Sequence, residues 1–285
     1  MKKILTAAVG DPARLAELLS ARLKLSQAGA RALVAQGSVH VDGKRARDAT
    51  ATVAVGMKLV VFVDDTAGSK VALPFEVRYV DDWFLVVDKP AGMVSQATRA
   101  DEAGSLDALV RSRHPTARLL HRLDRDASGL VLFALSEAAR APLQTALEAH
   151  QIERRYLAFA AGRLDGEGRV SLRIARDPAD PRRRIPLPEH ADGGQAAASR
   201  WRVVGHGPQS TALSLELETG RTHQLRVHLA AIGHPLVGDR LYGSGRAEAL
   251  HTRLCLHATE LIVPHPQTGK RVVVSSPSPL PTEPP

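Results

Sequence analysis

Two short stretches of the chain concentrate the side chains that could do chemistry. The first is Leu119-Leu120-His121-Arg122-Leu123-Asp124-Arg125-Asp126-Ala127-Ser128-Gly129-Leu130-Val131-Leu132, where two aspartates and two arginines stand directly before an apolar run. The second is Glu218-Thr219-Gly220-Arg221-Thr222-His223-Gln224-Leu225-Arg226-Val227-His228-Leu229, which sets arginine at a strand-to-helix junction, with Gly220 giving the backbone freedom there. The first stretch alone reads as a loop braced by Asp–Arg ion pairs. Two in one chain point to an anion-binding cleft built around a carboxylate. A free aspartate is charged at neutral pH, and the planar fork of a guanidinium can fix its orientation through two hydrogen bonds.

Other chemistries lack their residues. The glycine-rich segment Gly238 to Gly245 has no Gly-Lys-Ser/Thr ending, so it is not a Walker loop. Asp126-Ala127-Ser128-Gly129 lacks the glycine two residues before the serine that a nucleophile elbow needs. Twelve histidines include no His-Glu-x-x-His pattern, and His223 and His228 are five apart, off the spacing that places two ligands on one metal. A metal-dependent nuclease built on Asp124 and Asp126 lacks a third carboxylate nearby. One cysteine, Cys255, excludes a disulfide framework, a cysteine zinc site and an iron–sulfur cluster, and fits a reducing compartment. No metal and no cofactor is expected.

The elements that must position these groups can be placed from pattern. Leu15, Leu18, Leu19 and Leu23 recur at helical spacing from Pro12 to Leu23, and a second helix is predicted from Ser26 to Ala35. A strand at Ser38–Val41, a turn at Asp42-Gly43-Lys44 and a strand from Met57 to Val63 follow. Residues 1–64 hold ten Lys+Arg and five Asp+Glu, so +5 of the net +8 sits in this front module. Residues 65–74 read as a linker. From 75 to 275, short strands and helices alternate, with strands predicted at Phe84–Val87, Leu130–Ala134, Arg155–Ala161 and Ala212–Glu218, and helices at Ser105–Arg113, Ser136–His150 and His223–Ile232. Hairpin-length connections favour antiparallel pairing, so the expected fold class is α+β with a mixed, mainly antiparallel sheet. Residues 276–285, with five prolines, are expected to be disordered. No apolar run is long enough to span a bilayer. The early run Ile4–Val9 is broken by Gly10-Asp11-Pro12 and reads as a cytoplasmic N-terminus. Ten aromatic residues are too few for a platform that stacks successive bases.

Lys24-Leu25-Ser26, Arg31 and the segment Gly37 to Lys44 resemble the S4 RNA-binding module. His121-Arg122-Leu123-Asp124-x-x-x-Ser128-Gly129-Leu130 resembles the signature of the RluA-type RNA pseudouridine synthases. Four more stretches match in the family's order: Asp88 to Met93, Arg155-Tyr156-Leu157-Ala158, Gly220 to Leu229, and Gly233 to Gly243. Leu256-His257-Ala258 with His265-Pro266-x-Thr268-Gly269 resembles the family's closing strand. The similarity covers residues 12 to 275. It implies an S4-like αα-β module at 1–64, a catalytic domain at 75–275, and isomerisation of uridine to pseudouridine in structured RNA without a cofactor. Large-subunit ribosomal RNA is the expected substrate, transfer RNA the alternative, and a cytoplasmic monomer the expected form. By resemblance Asp124 is the catalytic carboxylate, Arg221 the arginine that ion-pairs with it, and Tyr156 the tyrosine whose ring packs on the target base. His121 and Arg122 are implied to hold the flipped strand, or else to brace the loop. Lys89 and Arg226 are phosphate candidates, and Lys24, Arg31 and Lys44 are the RNA contacts of the front module. Five positions depart from the family pattern: Ala127 for threonine, Ser95-Gln96 for a His-Pro-like pair, and Arg154 and Gln195 for lysine.

Overall fold

The computed structural model describes residues 2–4, 13–23, 27–35, 39–57, 59–64, 74–96, 104–243 and 245–285. The front of the chain forms β1 (Lys2–Ile4), β2 (Ala13–Arg14), α1 (Leu15–Leu23), α2 (Gln27–Ala35), β3 (Val39–Val41), β4 (Lys44–Arg45), β5 (Thr52–Val53) and β6 (Leu59–Asp64). Leu15 and Leu19 of α1, Leu33 and Val34 of α2, and Val39 and Val61 of the sheet close one small core. The first helix starts later than its leucine spacing predicts, because Ala13 and Arg14 pair with Val53 and Thr52 as a two-stranded ribbon. Pro12, Lys24, Ser26 and the linker residues 65–73 lie outside the described residues.

The rest of the chain forms β7 (Glu76–Val80), β8 (Phe84–Lys89), α3 (Leu106–Arg113), β9 (Arg118–Leu119), β10 (Ser128–Ala134), α4 (Glu137–Glu148), β11 (Glu153–Ala161), β12 (Glu167–Arg176), β13 (Arg184–Leu187), β14 (Gln195–His206), β15 (Ser210–Leu217), α5 (Gln224–Ala231), α6 (Arg246–Ala249), β16 (Leu256–Pro264) and β17 (Arg271–Ser275). One sheet runs β13-β12-β14-β15-β11-β16-β10-β8-β7, with β17 added to β16 and β9 to β10. Every pairing is antiparallel except β10 with β16, which makes the sheet mixed, as the sequence pattern predicts. Each residue of β10 is buried, so both faces of this central strand are covered and its sequence is one apolar run instead of an alternation. Ala139 and Leu143 of α4 cover Phe84, Leu130, Leu132 and Leu261 on one face, and Ser136 caps the helix through the backbone N–H of Ala139.

Three expectations need correction. The chain divides into two compact units, residues 1–75 with 94–117 and residues 76–93 with 118–285. The segment carrying α3, read as part of the 75–275 body, thus groups with the front of the chain, where α3 lies against α2. β9 and β13 escape a reading by local pattern because two and four residues, one of them Pro186, carry little strand preference. Their partners Phe133-Ala134 and Arg173–Arg176 decide them. The proline-rich end packs instead of being disordered: Leu280 is buried with Phe159, Val237 and Cys255, and the Pro285 carbonyl accepts from Ser210 Oγ and Gln209 N.

Candidate active site

The loop between β9 and β10 carries Asp124, and its exit is set by one close approach. Gly129 has φ +113°, and a Cβ there would lie 2.3 Å from the Ala258 carbonyl oxygen, so β10 can meet β16 only at glycine. One residue earlier, Ser128 Oγ accepts from Arg253 Nη2 at 2.7 Å and bonds His257 Nδ1 at 2.9 Å. His257 Nε2 continues to Ser276 Oγ at 3.2 Å, and Ser276 donates to Asp88. Burial lowers the His257 pKa, so the imidazole is neutral and can accept at one nitrogen while donating at the other.

Lys89 holds the same loop from the other side. It is fully buried, and its Nζ reaches the carbonyls of Pro90, Met93, Arg125 and Ala127 at 2.6–3.1 Å. A lysine with its donors used this way cannot also meet a phosphate, so its role as a phosphate candidate is corrected to that of a loop clamp. Burial pushes its pKa down to about 7, with the charge of Asp124 acting in the opposite direction.

Asp124 faces the start of α5. His223 enters this helix in the left-handed region, at φ 59°. The buried Gln224 then pins the turn: its Oε1 accepts from Thr219 Oγ1 and from Arg221 N, and its Nε2 donates to Ala198 O and Ser199 Oγ, all at 2.7–2.9 Å. This anchor fixes the rotation of the helix and turns Arg226 inward. Arg226 donates Nε and Nη2 to the two carboxylate oxygens of Asp239 at 2.8 Å each, and Nη1 to Asp124 Oδ2 at 3.2 Å. Burial works against the Arg226 charge, but the bonds and charges of Asp239 and Asp124 outweigh it and raise the pKa above the usual arginine value. Asp239 is itself buried, which would raise its pKa, yet Arg226 and the N–H groups of Leu241 and Tyr242 hold it below the usual range. His223 Nε2 lies 3.9 Å from Asp124 Oδ1, and its Nδ1 bonds Tyr242 Oη at 2.7 Å. The Tyr242 ring also lies under the Arg226 guanidinium, 5.0 Å away.

The ion pair expected of Arg221 is therefore made by Arg226. Arg221 is exposed and donates Nε to the Ala196 carbonyl at 3.1 Å. It precedes the helix, whereas Arg226 sits one turn in, on the face that Gln224 locks. Arg226, for its part, is not a free phosphate contact, since two carboxylates already take its donors. Tyr156 lies on β11, 4 % exposed; burial raises its pKa, with the nearby charges of Arg154 and Asp124 acting in opposite directions. His121 is buried and accepts from Leu132 N at 3.2 Å through Nε2, which braces the loop; Arg122, next to it, is exposed. In the first unit Arg31 and Lys44 are exposed. Pattern reading missed Asp239, whose signal was its place between Gly238 and two amide donors, and His223, which shares a stretch with the arginines.

Among the described residues no helix is long and apolar enough to cross a membrane. Residues 83–231 match the RNA pseudouridylate synthase family model, and residues 13–59 match the S4 domain model. The chain is 37% identical over 213 residues to YhcT of Bacillus subtilis strain 168, described as an uncharacterized RNA pseudouridine synthase; the match covers 72% of this chain and 68% of that one. It is 33% identical to the ribosomal large subunit pseudouridine synthase D of Pasteurella multocida, over 93% of this chain and 92% of the relative. Among solved structures, human RNA Pseudouridylate Synthase Domain Containing 1 matches with a TM-score of 0.62 at 28% identity, over 75% of this chain and 87% of its own. The matched segment contains Asp124, Tyr156 and the helix that delivers Arg226, and on that span the chain belongs to the RNA pseudouridylate synthase family and is an RNA pseudouridine synthase.

Proposed function

We propose that Asp124 is the carboxylate that acts on the ribose of the target uridine, that Tyr156 packs against its base, and that the substrate is large-subunit ribosomal RNA. One observation carries the site: Asp124 is held by a buried arginine whose other face is locked by Asp239, in the same unit as a buried tyrosine. In the reaction the N1–C1′ bond breaks, the uracil turns, and C5 bonds to the same C1′ while the C5 proton leaves. Asp124 serves it either by attacking C1′ or by taking a ribose proton. Arg226 keeps the carboxylate oriented in both cases. The target nucleotide must leave its stack to reach Asp124, and we read Arg122, which is exposed, as a residue that holds the flipped strand. The ribosomal substrate is supported by the Pasteurella relative, which matches over nearly all of both chains. The single cysteine, buried Cys255, fits work in the reducing cytoplasm. Pseudouridine mapping on ribosomal and transfer RNA from cells with and without this protein tests the substrate. A site lost only from large-subunit ribosomal RNA is expected; a site lost only from transfer RNA overturns that part.

The front module is read as the non-specific grip, with Lys24, Arg31 and Lys44 on RNA phosphates, because it holds +5 of the net charge. Each phosphate neutralised releases counterions, so three contacts contribute roughly 2–3 to the log–log slope of affinity against salt. The triple variant Lys24→Ala, Arg31→Ala, Lys44→Ala is expected to flatten that slope by about this amount in a filter-binding titration. An unchanged slope refutes the assignment.

A further inference from the structure

Among the described residues, the buried guanidinium of Arg154 makes no ion pair. It is 6 % exposed on β11, where exposed Arg155 separates it from buried Tyr156, so Arg154 and Tyr156 share the inner face of the strand. Among the described residues its Nε–H has no hydrogen-bond partner, and its one bond runs from Nη2 to the Thr219 carbonyl at 3.5 Å. Arg226, by contrast, is tied to two carboxylates. Space around Arg154 is kept open by Gly220, where a Cβ would lie 2.8 Å from Arg154 Nη1. A second buried donor stands with it. His121 accepts at Nε2, so its neutral ring carries the proton at Nδ1, and among the described residues Nδ1 has no partner. Burial and the Arg154 charge push the His121 pKa down to about 3, so the ring stays neutral.

Leaving a buried donor unpaired costs on the order of 1–3 kcal/mol, and more for a charged one. A fold that keeps two such donors beside Tyr156 has an acceptor to meet when its substrate arrives. The chemistry names that acceptor. When the N1–C1′ bond breaks, its electron pair stays on the uracil, and the charge spreads over N1, O2 and O4. Asp124 is an anion and cannot stabilise that charge, and the donors of Arg226 are already taken. We propose that Arg154 is a further catalytic residue, whose guanidinium donates to a uracil carbonyl oxygen and holds the negative charge of the departing base until the C5–C1′ bond forms. The inference rests on Asp124 acting at the ribose and Tyr156 at the base. It also gives Gly220 a reason: any side chain there displaces the guanidinium.

The test varies the leaving group. Single-turnover rates are measured on RNA carrying uridine or 5-fluorouridine at the target position, because fluorine makes the uracil anion more stable and the bond easier to break. With no C5 proton to lose, 5-fluorouridine is followed by its disappearance from nuclease digests. Arg154→Met is expected to slow uridine conversion by about 10²–10³-fold, the scale of losing one preorganised charge-stabilising group. RNA affinity should stay within a few-fold, and the loss should shrink at least tenfold on 5-fluorouridine. Arg154→Lys, which keeps the charge, should recover most of the rate. Gly220→Ala, which displaces the group without deleting it, should show the same leaving-group dependence in weaker form. Equal losses on both substrates, or no rescue by lysine, would mean a packing role and overturn the proposal, as would unchanged activity of Arg154→Met. Failure of the Asp124 reading looks different: Asp124→Asn would then turn over both RNAs.

Discussion

Asp124→Asn gives a folded protein that forms no pseudouridine at a measurable rate. The amide keeps the size and the acceptor oxygen that meets Arg226 Nη1, so the loop held by Lys89 and Ser128 stays in place. Arg226 keeps its two bonds to Asp239, and no buried charge loses its only partner. Stability should change by about 1 kcal/mol or less, within the range of ordinary substitutions. The amide, however, can neither attack C1′ nor accept a ribose proton. Losing a positioned base alone costs about 10²–10⁴-fold, and losing a nucleophile costs more. Tritium release from RNA labelled at uracil C5 measures the rate, and a thermal melt measures the fold. A folded variant with full turnover would remove Asp124 from the reaction.

Arg226→Met is expected to damage both stability and rate, while Arg221→Met leaves both nearly intact. Removing Arg226 strands Asp239, which is 1 % exposed and loses a bidentate partner. Breaking a buried pair on one side costs about 3–5 kcal/mol, so the melting temperature should fall by many degrees. Asp124 loses its ion pair with Arg226 and the group that orients it. Arg226→Lys should recover little, because a single ammonium cannot bridge Asp239 and Asp124 as the fork does. Arg221 donates one bond to a carbonyl from an exposed position, so its loss should cost within about 1 kcal/mol. If Arg221→Met abolished turnover while Arg226→Met left it unchanged, the pairing drawn here would not be the working one. Measuring both variants at a temperature where Arg226→Met is still folded separates rate from stability.

Much of the frame follows from local pattern. The leucines of α1 at helical spacing, the helices expected from Ser105 and from Ser136, and the apolar run of β10 are local signals, and each appears in the structure within a few residues of its expected place. The short β13, the packed tail around Leu280 and the grouping of α3 with the front module depend on surfaces far away in the chain, which no local window contains.

The same division runs through the site. The sequence alone determined which residue types are available and that Asp124 stands in a loop before a buried strand, because those are properties of neighbours in the chain. It also placed the positive surplus on the front module, which is a matter of counting. Only the tertiary structure decided which arginine meets Asp124. Asp124 and Arg226 are 102 residues apart in the chain, and the choice between Arg221 and Arg226 depends on where α5 begins and how the buried Gln224 sets its rotation. It decided equally that Lys89 is a clamp and that Arg154 is a buried cation with no ion pair among the described residues. A lysine or an arginine has the same charge in any sequence, and burial together with the acceptors within reach settles what that charge can do.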